Sequence, residues 1–255
     1  MKEKNMEKVI KDIVRFIQNY VEESGLNMLV VGLSGGIDSA VTAALCVEAV
    51  GAENVLAVMM PYKSSHPDSL RHAKEVAKKL QIKSEIINIS PMVDSYFDTY
   101  AEDADDMRRG NRMARERMCV LYDLAAKHEA LVAGTGNRSE ILVGYCTQYG
   151  DNACAFEPIG HLYKTEIYQL AETMELPASV IKKAPTADLW QGQTDEAELG
   201  IAYQKLDEIL HLVYDQELEA EDLAELGYTV DEIDKVVSLV EKTEFKRQLP
   251  PIPFL

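Results

Sequence analysis

Cysteine is scarce and scattered in this chain of 255 residues: Cys46, Cys119, Cys146 and Cys154, with no Cys-x-x-Cys pair. A disulfide framework or a zinc site needs tighter organisation than that. Cys46 and Cys119 fall on apolar positions of predicted helices and read as small core residues. The histidines are equally dispersed and form no His-Glu-x-x-His array. Positive charge is also short. A formal net charge of −17 excludes a general nucleic-acid binder, which needs a basic face. It leaves nucleotide binding open, because a few local cations can serve one phosphate chain. The acidity is concentrated after Asp195 and reads as a solvated surface. No apolar run is long enough to span a membrane, and the polar stretch Met1 to Lys8 lacks the apolar core of a signal peptide. Together these point to a reducing cytoplasm. No Ser-His-Asp or Cys-His constellation supplies a protein nucleophile.

What is present is an alternation of short apolar strands and helices. Val9, Ile10, Ile13, Phe16, Ile17, Tyr20 and Val21 recur at helical spacing, predicting an amphipathic helix that ends near Gly25. Apolar strands are expected at Met28–Leu33, Val55–Met60, Glu85–Ile89 and Ala130–Gly134. Helices are expected at Ala40–Val50, Pro67–Leu80 and Asn111–His128. Such an order implies right-handed β-α-β crossovers and a doubly wound parallel sheet, an α/β fold. From Tyr163 onward helix dominates, interrupted by Pro177, the Ala184–Asp195 loop and Gly227. Gly144 to Gly160 has little periodicity and reads as a functional loop. There is no internal repeat, so residues 1–255 are read as one domain with a helical C-terminal part.

The strand Met28–Leu33 runs into Ser34-Gly35-Gly36-Ile37-Asp38-Ser39 and then into a helix. Gly35 and Gly36 lack Cβ atoms where the backbone must approach a ligand and where positive φ can be needed. The unpaired amides at the helix start, with the positive end of its dipole, suit a phosphate. The common phosphate loop, Gly-x-x-x-x-Gly-Lys-Ser/Thr, is absent, and no lysine stands here. A carboxylate, Asp38, stands among the phosphate-facing groups instead, which calls for a cation between them, usually Mg²⁺. The segment resembles the S-G-G-x-D-S loop of the ATP pyrophosphatases, which split ATP between its α- and β-phosphates. The sheet expected is therefore of the adenine nucleotide alpha hydrolase-like type.

Five further segments follow in order. They are Gly134-Thr135-Gly136-Asn137-Arg138-Ser139-Glu140, then Gly144-Tyr145-Cys146-Thr147-Gln148-Tyr149-Gly150-Asp151, then Pro158-Ile159-Gly160-His161-Leu162-Tyr163-Lys164-Thr165-Glu166, then Pro185-Thr186-Ala187-Asp188-Leu189-Trp190-Gln191-Gly192-Gln193-Thr194-Asp195-Glu196, and last Lys246-Arg247-Gln248-Leu249-Pro250-Pro251-Ile252-Pro253. That succession resembles the NAD synthetase family over nearly the whole chain. The resemblance implies ATP-driven adenylation of the nicotinate carboxylate of deamido-NAD⁺, then amidation by ammonia, giving NAD⁺, AMP and pyrophosphate. The alternative is an adenylating amide ligase of the same superfamily that acts on a different carboxylate.

The resemblance also implies roles. Gly32, Leu33, Ser34, Gly35, Gly36, Ile37, Asp38 and Ser39 would bind ATP, with Thr135, Lys164 and Thr186. Asp38 and Glu140 would hold Mg²⁺, and with Lys164 they form the catalytic set. Arg115, Gln148, Ala155, Phe245 and Lys246 fall at deamido-NAD⁺ positions. Taken alone, Glu140 reads as a helix cap, Lys164 as a surface lysine and Arg115 as a member of a helical ion pair. Four positions depart from the ammonia-dependent pattern: Gln148 stands for lysine, Ala155 and His161 for aspartate, and Phe245 for histidine. Larger glutamine-dependent members carry a separate amidase domain, so free ammonia is the expected nitrogen donor here. Family members of this size form homodimers, which is the expected assembly.

Overall fold

Alternate residues of the first strand, β1 (Met28–Gly32), enter opposite cores: Leu29 and Val31 join one, Val30 the other. The same alternation runs through β2 (Val55–Met59), where Val55, Ala57 and Met59 face the first core and Leu56 and Val58 the second. A strand buried on both faces needs helices above and below, which is the doubly wound arrangement. The computed structural model describes residues 4–190 and 192–253. Met1, Lys2 and Glu3 of the N-terminal reading and Gln191 of the Pro185–Glu196 motif lie outside them. With β3 (Lys83–Ile86) and β4 (Ala130–Ala133) the strands form one four-stranded parallel sheet in the order β3-β2-β1-β4.

On one face lie α1 (Met6–Ser24), α2 (Ile37–Val50), α3 (Pro67–Leu80) and, further along the chain, α7 (Lys164–Thr173). The other face is covered by the second half of α5 (Asp106–His128), through Leu124 and Ala125. The helix α2 is buried almost all round over Ser39–Cys46, as expected of an apolar helix sandwiched between sheet and outer helices. Asn5 caps α1 by accepting from the Lys8 amide, and Gly25 ends it at φ +70°. After α6 (Arg138–Val143) and α7 come α8 (Ala178–Ile181), α9 (Asp195–Leu199), α10 (Tyr203–Leu210), α11 (Ala220–Glu225) and α12 (Val230–Lys242). A separate core of Leu206, Ile209, Leu210, Leu223, Ile233 and Val236 joins α10, α11 and α12 to Val143 and Tyr163.

Several boundaries differ from expectation. The helix after β1 starts at Ile37, with Gly36 as its N-cap, three residues before Ala40. The third strand is Lys83–Ile86 and not Glu85–Ile89. It is an edge strand with mostly exposed, polar residues, the usual guard against edge pairing. Ile87 and Ile89 continue beside β2 by donating to Met59 and Pro61 carbonyls, and Ile89 is fully buried. A helix not anticipated, α4 (Ser90–Tyr100), follows and packs Val93 and Phe97 against Met113 of α5. Cys119 is exposed, contrary to the core reading, while Cys46 is buried. Asp195 and Asp207 are also buried, exceptions to the solvated acidic surface expected after Asp195.

Candidate active site

Because the order is 3-2-1-4, the connections leaving β1 and β4 diverge between neighbouring strands. In a parallel sheet that point, beyond the carboxyl ends, is where a crevice opens for ligand. Here the Ser34–Gly36 loop follows β1 and the Gly134–Gly136 turn follows β4, with Val31 paired to Ala133. A cavity of about 630 Å³ opens between them, lined among others by Ser34, Gly36, Asp38, Thr135, Glu140 and Lys164. That volume is in the range of sites enclosing a nucleotide-sized ligand.

The loop is cross-braced by its own hydroxyls. Ser39 Oγ donates to the Gly36 carbonyl at 3.0 Å and accepts from the Ser34 amide at 3.2 Å, and Ser34 Oγ accepts from the Gly36 amide at 3.2 Å. Gly35 has φ +76°, whereas Gly36 has φ −92°, so only the first needs glycine for its conformation. Gly35 itself does not line the cavity; it backs onto α3, where a Cβ would stand 2.1 Å from the Ser69 carbonyl oxygen.

In the wall of the cavity Lys164, the first residue of α7, lies between the two carboxylates. Its Nζ is 2.6 Å from Asp38 Oδ2 and 3.0 Å from Glu140 Oε1, and its side chain is 3% exposed. One cation therefore serves two carboxylates. Burial pushes the Glu140 carboxyl up to about 8, with Lys164 pulling it back and Asp38 adding to the rise. The two carboxylates hold Lys164 protonated, above the ordinary lysine value, against the opposing effect of burial. The Lys164 ammonium also lies 5.2 Å from the Tyr203 ring centroid.

The sequence from residue 9 to residue 250 matches the family model described as NAD synthase. The chain belongs to the NAD synthase family. An NH(3)-dependent NAD(+) synthetase of Fusobacterium nucleatum subsp. nucleatum is 46% identical over 246 residues, 96% of this chain and 95% of that one. Among solved structures, an NH3-dependent NAD synthetase of Campylobacter jejuni superposes with a TM-score of 0.85 at 37% identity, covering 98% of this chain and 100% of that one. An NMN synthetase of Francisella tularensis superposes with a TM-score of 0.89 at 28% identity, covering 99% and 100%.

Of the remaining family positions, Thr186 and Arg115 line the cavity with Gln148, Phe245 and Lys246. Among the described residues Arg115 makes no helical ion pair; its guanidinium donates to the Gln148 carbonyl at 3.2 Å. Lys246 Nζ donates to the carbonyls of Gly144 and Cys146, both at 2.7 Å, tying the chain's end to the Gly144–Gly160 loop. Ala155 departs from expectation and does not line the cavity. Its amide donates to Val132 and its carbonyl accepts from the Tyr20 hydroxyl, which makes it an extension of the sheet. His161 is likewise away from the cavity.

Residues not singled out in the sequence complete the frame. Asn137 caps α6, accepting from the Glu140 amide at 3.0 Å, and its Nδ2 donates to Asp38 Oδ1 at 2.8 Å. Asp207 accepts from Ser139 Oγ and from the Thr165 amide, while Ser139 Oγ accepts from the Lys164 amide. The starts of α6 and α7 are thus pinned to α10. Asn137 and Ser139 stand inside a quoted motif, but Asp207 lies in a featureless amphipathic helix and carries no signal.

Glu157 braces the turn after β4 from below. Its Oε2 accepts from the Gly136 amide at 3.0 Å, and a Cβ on Gly134 would stand 2.3 Å from that oxygen. Burial pushes the Glu157 carboxyl from its ordinary 4.5 up to about 7. The folded state then binds more protons than the unfolded one between those values, so stability falls as pH rises through that window. The loss reaches about 3 kcal/mol above pH 7. Glu157→Gln keeps the acceptor oxygen and removes the charge. Denaturant melts are expected to show the variant about 3 kcal/mol more stable than wild type at pH 8, by the linkage above, with the gap closing as pH falls to the ordinary 4.5 and below. A variant less stable at pH 8 contradicts the assignment.

Proposed function

We infer that the chain is an acid–ammonia ligase that makes NAD⁺ from deamido-NAD⁺, ammonia and ATP, releasing AMP and pyrophosphate. The observation carrying this reading is the meeting of Asp38, Glu140 and Lys164 at the switch point of the sheet, in a chain of this family. The nicotinate carboxylate attacks the α-phosphorus, and the bond to the bridging oxygen of the β-phosphate breaks. Ammonia then adds to the activated carbonyl, loses a proton, and AMP leaves.

No protein nucleophile takes part, so the residues act by position and charge. Ser34, Ser39 and the amides at the start of α2 receive the phosphates, with Thr135 and Thr186 from the facing loops. Lys164 stays protonated beside them and offsets charge developing on the phosphoryl oxygens. Arg115, Gln148, Phe245 and Lys246 form the side of the cavity toward the dinucleotide. Asp38 and Glu140 are the residues that would hold Mg²⁺. They are hard oxygen donors, each 17% exposed toward the cavity, and Mg²⁺ commonly binds to one or two carboxylates plus substrate phosphates and water. Bound there it would supply Lewis-acid polarisation of phosphate oxygens. Among the described residues no third acidic, His or Cys side chain joins them in a metal-binding group. The reading extends to a homodimer, for which exposed Tyr96, Tyr100 and Met107 offer apolar surface. It extends also to the cytoplasm, where four unpaired cysteines are at home.

The test is product formation from ATP, Mg²⁺ and deamido-NAD⁺, with ammonium and glutamine in separate reactions and nicotinate mononucleotide as the competing acceptor. NAD⁺ and AMP are expected in equal amounts with ammonium. Amidation of the mononucleotide alone would replace this reading by that of an NMN synthetase.

A further inference from the structure

Charge around the Ser34–Gly36 loop leaves the pyrophosphate half of ATP under-served. Lys164, the lysine on the carboxylate side of the loop, is already shared by Asp38 and Glu140. Three other cavity cations, Arg115, Arg117 and Lys246, donate to the backbone carbonyls of Gln148, Met60, Gly144 and Cys146.

Lys183 is placed differently. It lines the same cavity on the segment leading to Thr186, and its Nζ donates to Ser69 Oγ at 2.9 Å. Ser69 is the residue whose carbonyl presses against Gly35, so this ammonium stands on the α3 side of the loop, across from Lys164. The carboxylate nearest in the network, Asp188, is spent elsewhere. It accepts from Ser69 Oγ at 2.7 Å and from the His66 amide at 3.0 Å, closing the start of α3. Lys183 makes no ion pair among the described residues, and burial holds its ammonium below the ordinary lysine value, against the pull of Asp188 and Asp68. A half-buried cation that faces a cavity without a carboxylate partner is built for an anion brought by the ligand.

We propose that Lys183 is a second phosphate-binding cation, which grips the β- and γ-phosphates of ATP and then the pyrophosphate that leaves. This rests on the ATP-site reading of the loop, and the amide acceptor does not enter it.

The experiment measures binding of inorganic pyrophosphate, ATP and AMP to the full chain by calorimetry with Mg²⁺, for wild type, Lys183→Met and Lys183→Arg. Lys183→Met is expected to weaken pyrophosphate and ATP by about tenfold or more, the usual scale of one charge-assisted contact, and to leave AMP within twofold. Lys183→Arg restores most of the loss. If all three ligands weaken alike, the residue merely shapes the loop, and if none weakens, it touches no phosphate; either result overturns the proposal. Wild-type NAD⁺ formation is measured beside these titrations, so failure of the acceptor reading registers there and leaves the pyrophosphate result to be judged alone.

Discussion

Lys164→Met is expected to reduce NAD⁺ formation about a thousandfold, the scale of losing a preorganised charge at the reacting centre. It should also destabilise the chain in a pH-dependent way. With the ammonium gone, Asp38 and Glu140 face each other without a cation in a largely dry pocket. Breaking a buried pair from one side typically costs about 3 kcal/mol or more. The sign with pH follows from the carboxylate. Glu140 already sits at about 8 against an ordinary 4.5, so it takes up a proton on folding, and stability falls as pH rises through that interval. Without Lys164 the rise is larger and the fall runs on to higher pH. The gap between variant and wild type is therefore smallest near pH 5 and widens as pH rises past the wild-type value of about 8, as measured by chemical denaturation. A gap independent of pH, or turnover within tenfold of wild type, refutes the central role given to this lysine. Asp38→Ala makes the contrast: it leaves Lys164 with Glu140, one charge each, so the fold survives while turnover is lost.

How far these residues could be read in advance depends on what kind of signal each one carries. The strands β1, β2 and β4 stand out as apolar runs because both of their faces are buried, whereas β3 is polar and lies at an edge, so its start slid by two residues and its end by three. The helix α4 begins with Ser90-Pro91 and mixes aromatic with polar residues, which left no helical stripe to count. Within the site, the residues of the glycine loops and Lys164 were legible because they stand in ordered motifs. Their supports were not. Asp207, Glu157 and Lys183 act across chain separations set by the fold: Lys183 reaches Ser69 over 114 residues and Asp207 reaches Ser139 over 68. Ala155 shows the converse, a motif position whose backbone extends the sheet while its side chain stays out of the cavity.

Gly35→Ala is expected to cut kcat/KM for ATP about a hundredfold and to lower stability by about 2–3 kcal/mol. Two costs combine. The residue holds φ +76°, which costs an alanine about 1 kcal/mol or more. Its new methyl would stand 2.1 Å from the Ser69 carbonyl oxygen and 3.1 Å from the Ala73 amide nitrogen. Both are backbone atoms of α3 and cannot swing aside as a side chain would. Either the loop lifts toward the ligand or the helix retreats, and a displacement of about 1 Å at a phosphate-binding loop is enough for the loss in rate. Gly36→Ala is the control in the same loop. Its φ is −92° and its nearest neighbour is the Ser34 hydroxyl at 3.3 Å, which can rotate. That variant should lose less than about 1 kcal/mol, within the range of an ordinary surface substitution. Steady-state kinetics in ATP and thermal melts of both variants decide the matter. Equal behaviour of the two would mean that ligand approach, and not the packing of Gly35 on α3, is what demands glycine here.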